Sequence, residues 1–189
     1  MKLTPQPPEG GVKTDNITSL KSPLGDLGVK VALFPGTFDP FTLGHLSLVE
    51  RGLCLVDEII IAIGVNLDKK TFFPLEQRME MISRLFESNP KIRVQSYKGL
   101  TVDFAQEAGA RFILRGVRSV NDFEYEKNIA DINREIAGIE TFVLFTEPKY
   151  THISSSLVRE LLTYGKPVTA FVPENLCIND YNKNDKMIK

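Results

Sequence analysis

Thr42, Gly44 and His45 form a T-x-G-H tetrapeptide at the end of the run FPGTFDPFTLGH, Phe34 to His45. An apolar stretch, a glycine turn and a histidine just inside a helix start would together suit a phosphate. The unpaired N–H groups of a first helical turn, and the helix dipole, both favour an anion. The apolar run 29–34 suits a buried strand, and Leu46, Val49, Leu53 and Val56 recur at helical spacing behind the motif. The motif therefore joins strand to helix, with Thr42 as N-cap and His45 in the first turn, facing the phosphate. A Gly-His pair alone is ordinary turn chemistry, and the surrounding residues give it weight.

Other residues with phosphate chemistry lie further along the chain. Lys69 and Lys70 follow a second apolar run, and Arg115, Gly116 and Arg118 make an R-G-x-R group after another. Arginine offers a planar fork for bidentate phosphate contacts and lysine a mobile point charge, so the mixture suits one anchored group and one reacting group. Gly116 lets a nucleotide come close to the backbone. Ile153, Ser154, Ser155 and Ser156 precede Leu157, Leu161 and Leu162, so the serines sit at a helix start, as caps or as ligands of outer phosphates. Asp122, Glu124, Glu126 and Asp131 crowd one helix as a mostly solvated face, with Glu126 singled out for function. One histidine among phosphate-binding loops points to direct in-line transfer, in which the protein positions two anions and stabilises charge without a covalent intermediate. The chain has no G-x-S-x-G elbow, H-E-x-x-H, calcium loop, P-loop or G-x-G-x-x-G after its first strand.

The elements that must position these groups follow from periodicity. Strands are expected over 29–34, 58–64, 92–95, 112–114 and 141–145. Helices are expected after Thr42, from Pro74 through Phe86, over 102–108 and over 122–136, and a last one starts within 154–156. Tyr125, Ile129, Ile132 and Ile136 share one face of the fourth helix. Alternating strands and helices predict an α/β, Rossmann-like, five-stranded parallel sheet with helices on both faces. Loops after strands one, two, four and five then converge on one cleft beyond the strands' carboxyl ends.

With 189 residues, 42% hydrophobic and 25% charged, the chain fits one domain with a substantial core. A flexible extension is expected over 1–28, the domain over 29–176 and a solvated polar tail over 177–189. A net charge of −1 argues against nucleic acid as a partner. Cys54 and Cys177 have no metal-ligand spacing and suggest no disulfide framework, which fits a reducing cytoplasm. No stretch has the length of a membrane helix, so no membrane partner is expected.

Taken together, PGTFDPFTLGH, LDKK, ILRGVRSVNDFEYE and HISSSLVRE resemble the phosphopantetheine adenylyltransferases of bacterial coenzyme A synthesis, within the nucleotidylyltransferase superfamily. The resemblance covers roughly residues 29–176. It implies transfer of AMP from MgATP to the phosphate of 4′-phosphopantetheine, giving dephospho-coenzyme A and pyrophosphate. By it, His45 contacts the α-phosphate and, with Lys69 and Arg118, is catalytic. Thr37 and Phe38 hold the nucleotide, Thr37 also holds the acceptor phosphate, Lys69 bridges both substrates and Arg115 meets the acceptor. Gly116, Val117, Arg118 and Glu126 contact ATP, and Tyr150, Thr151, His152, Ile153, Ser154, Ser155 and Ser156 wrap the adenine and outer phosphates. The pantetheine arm passes Leu100, Thr101 and Asn133. Mg²⁺ sits mainly on phosphate oxygens, with no protein metal site. The resemblance also implies a homohexamer and coenzyme A as a feedback ligand.

Two residues depart from the pattern. Thr101 is small and polar where a larger apolar residue is frequent, and His152 stands where an aromatic is frequent. Three alternatives remain beside this reading. Another nucleotidylyltransferase, such as a nicotinate mononucleotide adenylyltransferase or a cytidylyltransferase, would share T-x-G-H but not DFEYE. A non-catalytic nucleotide sensor would not need His45, Lys69 and both arginines. A class I aminoacyl-tRNA synthetase would need more length and a basic surface.

Overall fold

The computed structural model describes residues 28–65, 70–178 and 181. Lys69, nearly all of the expected extension and most of the expected tail lie outside the described residues.

Five parallel strands form one sheet: β1 (Val31–Gly36), β2 (Glu58–Gly64), β3 (Ile92–Tyr97), β4 (Phe112–Val117) and β5 (Glu140–Phe145). Their spatial order is β3-β2-β1-β4-β5. The chain leaves β1 in one direction to build β2 and β3 and returns to its other side for β4. The switch point therefore lies between β1 and β4, where such sheets bind ligands. The helices are α1 (Leu43–Gly52), α2 (Leu75–Leu85), α3 (Thr101–Glu107), α4 (Val120–Ala137) and α5 (Ser155–Thr163).

Alternation along β1 and β2 sends side chains to two separate cores. Ala32, Phe34, Ile59, Ile61 and Ile63 meet α1, α2 and α5 through Leu48, Val49, Met81, Ile82, Val158 and Leu162. Val31, Leu33, Ile60 and Ala62 meet Val102 and Ala105 of α3 on the other face, with Ala137 at the end of α4. Helices thus cover both faces, as predicted. The fully buried isoleucines of β2 each contribute about 1.5–3 kcal/mol by leaving water.

Two glycines let α1 lie close to β4. A Cβ on Gly52 would stand 2.6 Å from Leu114 Cδ2, and one on Gly116 would stand 2.2 Å from Leu48 Cδ1. Since α1 carries His45, this close approach helps set the height of the histidine above the sheet.

Two features go beyond what periodicity and composition show. The apolar stripe of α4 faces outward, with Tyr125, Ile132 and Ile136 exposed, while Glu126 and Asn133 face inward and are buried. The inner face of α4 walls a charged site, so a carboxylate there finds a partner that an apolar residue could not satisfy. Ile178, placed in the polar tail by composition, is 4% exposed in the larger core, and Tyr181 packs against that core. Single apolar residues in a polar stretch anchor it without producing a period.

Candidate active site

Thr42 is the N-cap of α1 and His45 its third residue. The backbone N–H of Thr42 donates to His45 Nδ1 at 3.0 Å, and Thr42 Oγ1 lies 3.1 Å from the same nitrogen. An Nδ1 that accepts from a backbone N–H carries no proton, so the neutral ring holds its proton on Nε2. Burial first, then the positive charges of Arg118 and Arg115, push the His45 pKa from 6.5 down to about 4. At neutral pH the ring is an uncharged donor.

Phe38 fixes the ring from the side. It adopts a φ of 48°, in the left-handed region, and its ring meets His45 edge-on at 5.1 Å between centroids. Phe34 and Phe41 complete the aromatic contacts, at 6.3 Å and 5.2 Å from the imidazole centroid.

Among the described residues, two cavities open at the carboxyl ends of the strands. One, of about 340 Å³, is lined by Thr42, Gly44, His45, Leu48, Arg115, Gly116, Arg118, Asp122, Glu126, Thr146, Tyr150 and Ile153 to Ser156. The other, of about 310 Å³, is lined by Pro35, Gly36, Thr37, Gly64, Val65, Tyr97, Gly99, Thr101 and Arg115. Arg115 is common to both. Its Nε donates to Glu126 Oε2 at 2.7 Å, its Nη2 to Oε1 at 2.5 Å and its Nη1 to the Pro35 carbonyl at 2.9 Å. Of the five N–H donors of a guanidinium, three are thereby occupied and two remain for a ligand.

The loops around the site are tied together by residues that the motif reading passes over. The buried Asp39 carboxylate accepts the backbone N–H groups of Phe72 and Phe73 at 2.8 and 2.9 Å. Arg159 Nη1 donates to the Asp39 carbonyl at 2.6 Å. Buried Arg78 donates through Nη1 to the Thr37 carbonyl at 2.7 Å and through Nε to the Phe73 carbonyl at 3.0 Å. These bonds join the Thr37 to Pro40 turn, the segment 72–73, α2 and α5. One signal was available for Arg78: it lies between Leu75 and Ile82 at spacings that place a charge on the apolar stripe of α2. Ser47 Oγ donates to Glu147 Oε1 at 2.6 Å, linking α1 to the turn before Tyr150.

The structure gathers most of the expected residues and leaves some aside. His45, Arg115, Gly116, Arg118, Glu126, Tyr150 and Ile153 to Ser156 line the first cavity, and Thr37, Thr101 and Arg115 the second. Val117 and Phe38 are buried in the core, and Asn133 is buried on α4 and lines neither cavity. Leu100, Thr151 and His152 are exposed and line neither; the His152 ring stands edge-on to Phe171 at 6.4 Å.

The serine hydroxyls already have intramolecular partners. Ser154 Oγ accepts from Leu157 N at 3.1 Å, Ser155 Oγ donates to the Pro40 carbonyl at 2.8 Å and Ser156 Oγ accepts from Arg159 Nη2 at 3.0 Å. The start of α5 still offers a phosphate the N–H groups of its first turn and the O–H donors of Ser154 and Ser156, whose oxygens only accept in these bonds.

Among the described residues no group of three or more His, Cys, Asp or Glu could hold a metal ion. The two carboxylates of the first cavity are taken by arginines, Glu126 by Arg115 and Asp122 by Arg118.

A parallel sheet with its crevice at the switch point, a T-x-G-H helix start and an arginine between two cavities define a nucleotidylyltransferase-type site. Comparison with known proteins agrees. The profile of the family described as cytidylyltransferase-like matches residues 33–161. A phosphopantetheine adenylyltransferase of Bacteroides thetaiotaomicron is 60% identical over 151 residues, 80% of this chain and 100% of the relative. Proteins of the same name from Phocaeicola vulgatus and Flavobacterium johnsoniae are 59% identical over 148 residues and 49% over 146. These matches span 78% and 77% of this chain, and 98% and 96% of the relatives. The chain belongs to the cytidylyltransferase-like family and, within it, to the phosphopantetheine adenylyltransferases.

Proposed function

We propose that this protein transfers the adenylyl group of ATP to the phosphate of 4′-phosphopantetheine, forming dephospho-coenzyme A and pyrophosphate. The observation that carries the reading is Arg115, whose side chain lines both cavities, so that two anionic substrates can meet on one cation. ATP occupies the cavity of His45, Arg118, Tyr150 and the α5 N-terminus, and the acceptor occupies the cavity of Thr37, Thr101 and Arg115. An acceptor phosphate oxygen attacks the α-phosphorus, the new P–O bond forms as the α–β bridge breaks, and pyrophosphate leaves.

His45 donates its Nε2 proton as a hydrogen bond to the α-phosphate, where charge rearranges in the transition state. Held neutral by burial and the two arginines, it neither forms a covalent intermediate nor changes protonation near neutral pH. The N–H groups of the first turn of α5 receive the outer phosphates. Lys69 bridges the two substrates in this reading, and Glu126 acts on them through Arg115. Mg²⁺ would be held mainly by the phosphate oxygens of ATP and would neutralise part of their charge.

Coenzyme A, which retains the arm and the adenylate of the product, competes as a feedback ligand. The exposed stripe of Tyr125, Ile132 and Ile136 on α4, with exposed Val120, Phe123 and Phe145 nearby in sequence and fold, supports assembly as a homohexamer. Sedimentation in solution tests this: a monomer at micromolar concentration would refute it. No helix among the described residues is long and apolar enough to cross a membrane. We place the reaction in the cytoplasm, where ATP is available.

The activity is tested by incubating the protein with MgATP and a panel of acceptors, following pyrophosphate release and product mass. Dephospho-coenzyme A from 4′-phosphopantetheine is the expected product. Turnover only with nicotinate mononucleotide, or with CTP in place of ATP, would assign the site to another nucleotidylyltransferase.

A further inference from the structure

The segment between β5 and α5 closes one side of the first cavity through Thr146 and Tyr150. Its regular structure is a single 3₁₀ turn, Pro148–Tyr150. The backbone bonds of that turn are local: the Tyr150 N–H donates to the Glu147 carbonyl at 2.8 Å and the Ile153 N–H to the Tyr150 carbonyl at 2.9 Å. Such a turn fixes its own shape but not its height on the domain. Contacts with α1 do that. A Cβ on Gly44 would stand 4.0 Å from Tyr150 Cβ, Ser47 Oγ donates to Glu147 Oε1 at 2.6 Å, and Arg51 Nη1 donates to the Phe145 carbonyl at 2.7 Å. Positions 44, 47 and 51 are three and four residues apart, so they share one face of α1, and they meet 150, 147 and 145 in reverse order. The segment therefore runs antiparallel along the helix that carries His45.

Glu147 stands in the middle of this seam and lines neither cavity. Its Oε1 faces the buried Ser47 hydroxyl, and its Oε2 lies 3.1 Å from Lys149 Nζ, which stands 4.7 Å from the centroid of the Tyr150 ring. Hydrogen bonds from Ser47, and then from Lys149, hold the carboxyl below its ordinary pKa, so it is ionised at neutral pH. A hydroxyl that donates to a carboxylate makes a charge-assisted bond. Pro148 in turn keeps the Glu147 backbone extended, at φ −60° and ψ 140°. One residue thereby ties Tyr150 to α1, the backbone through its carbonyl and the ring through Lys149.

We propose that Glu147, held by Ser47, is a positioning residue for the nucleotide: it sets the Tyr150 wall of the first cavity against α1 and governs ATP affinity without touching ATP. This rests on the assignment of that cavity to ATP. His45 keeps its own bond to the Thr42 backbone, so loss of the seam should loosen the grip on ATP and leave the chemical step intact.

The test measures Ser47→Ala, Glu147→Ala and the double variant. Each single change should raise the KM for ATP about fivefold, the effect of a charge-assisted bond discounted for a carboxylate that is 37% exposed. The kcat and the KM for 4′-phosphopantetheine should stay within about twofold. Calorimetric binding of MgATP without acceptor should weaken by the same factor as the KM. The double variant should also show about fivefold, because the two residues act through one bond, whereas independent effects would multiply to about 25-fold. Neither substitution leaves a buried charge unpaired, and a helical serine without Glu147 can turn its hydroxyl to the carbonyl one turn back, so each variant should fold, as thermal unfolding verifies. Unchanged ATP affinity in both single variants, a multiplied effect in the double variant, or a fall in kcat at unchanged KM overturns the inference. A wild type that binds MgATP but does not adenylylate 4′-phosphopantetheine overturns the proposed reaction alone, since calorimetry on the variants still decides the role of Glu147. A wild type that does not bind MgATP overturns the cavity assignment and the inference with it.

Discussion

Glu126 grips Arg115 through two charge-assisted hydrogen bonds, at 2.7 and 2.5 Å, and thereby holds a cation between two cavities. The carboxylate is 7% exposed, and both its oxygens face the guanidinium, which leaves Arg115 oriented before any ligand arrives. Glu126→Gln keeps the shape and removes the charge. With charge-assisted bonds worth about 1.5–3 kcal/mol, and Arg115 partly solvated, the acceptor's KM should rise about tenfold. Arg115→Lys should likewise raise the acceptor's KM far more than that of ATP, because an ammonium cannot reproduce the fork. Steady-state kinetics with each substrate varied checks both, and an unchanged acceptor KM in Glu126→Gln would remove the positioning role.

His45 makes a prediction about pH. Its pKa is about 4 in the folded protein against 6.5 unperturbed, so between these values the unfolded chain binds more protons than the folded one. Stability from this group is therefore fully present above pH 6.5 and is lost as pH falls from 6.5 toward 4. The loss is at most about 3.5 kcal/mol, at ~1.4 kcal/mol per pKa unit. Urea titrations of wild type and His45→Ala over that range isolate the effect by difference. Parallel curves would show that the ring is not buried neutral.

The same substitution should lower kcat by at least about 10²-fold while leaving ATP affinity within a few-fold, as for a contact that strengthens in the transition state. Calorimetric binding of ATP alongside kcat separates the two. Loss of ATP binding with kcat preserved would make His45 a ground-state ligand.

Gly116→Ala places a methyl where Leu48 Cδ1 stands, 2.2 Å away. Leu48 belongs to α1, so the helix carrying His45 must move or Leu48 must leave its rotamer. A destabilisation of about 1–3 kcal/mol is expected from overpacking, together with reduced kcat. Thermal unfolding and turnover measure these, and a variant with wild-type stability would show that Leu48 yields freely.

Asp39→Ala removes the acceptor of two backbone N–H groups, those of Phe72 and Phe73. Hydrogen exchange at these two amides should accelerate at least about tenfold, with about 1–3 kcal/mol lost in stability for donors left without a partner. Unaltered protection at Phe72 and Phe73 would mean that the segment is held by other contacts.

The strands, the helices and the place of His45 are legible along the chain, because side-chain period and helix capping are properties of neighbouring residues. The continuous apolar β2 reads as buried on both faces, and Thr42 followed by His45 reads as a helix start without knowledge of the rest. Which polar groups face each other depends on how the chain packs. Glu126 meets Arg115, Ser155 meets the Pro40 carbonyl and Asp39 meets Phe72 and Phe73 across 11, 115 and 33–34 positions of chain. Such pairs depend on strand order and helix placement, which no local period encodes. For the same reason the apolar stripe of α4 is legible as a stripe, but its direction is not. The sheet's switch point turns Glu126 and Asn133 inward, and desolvation of a charge is tolerated there because Arg115 stands opposite.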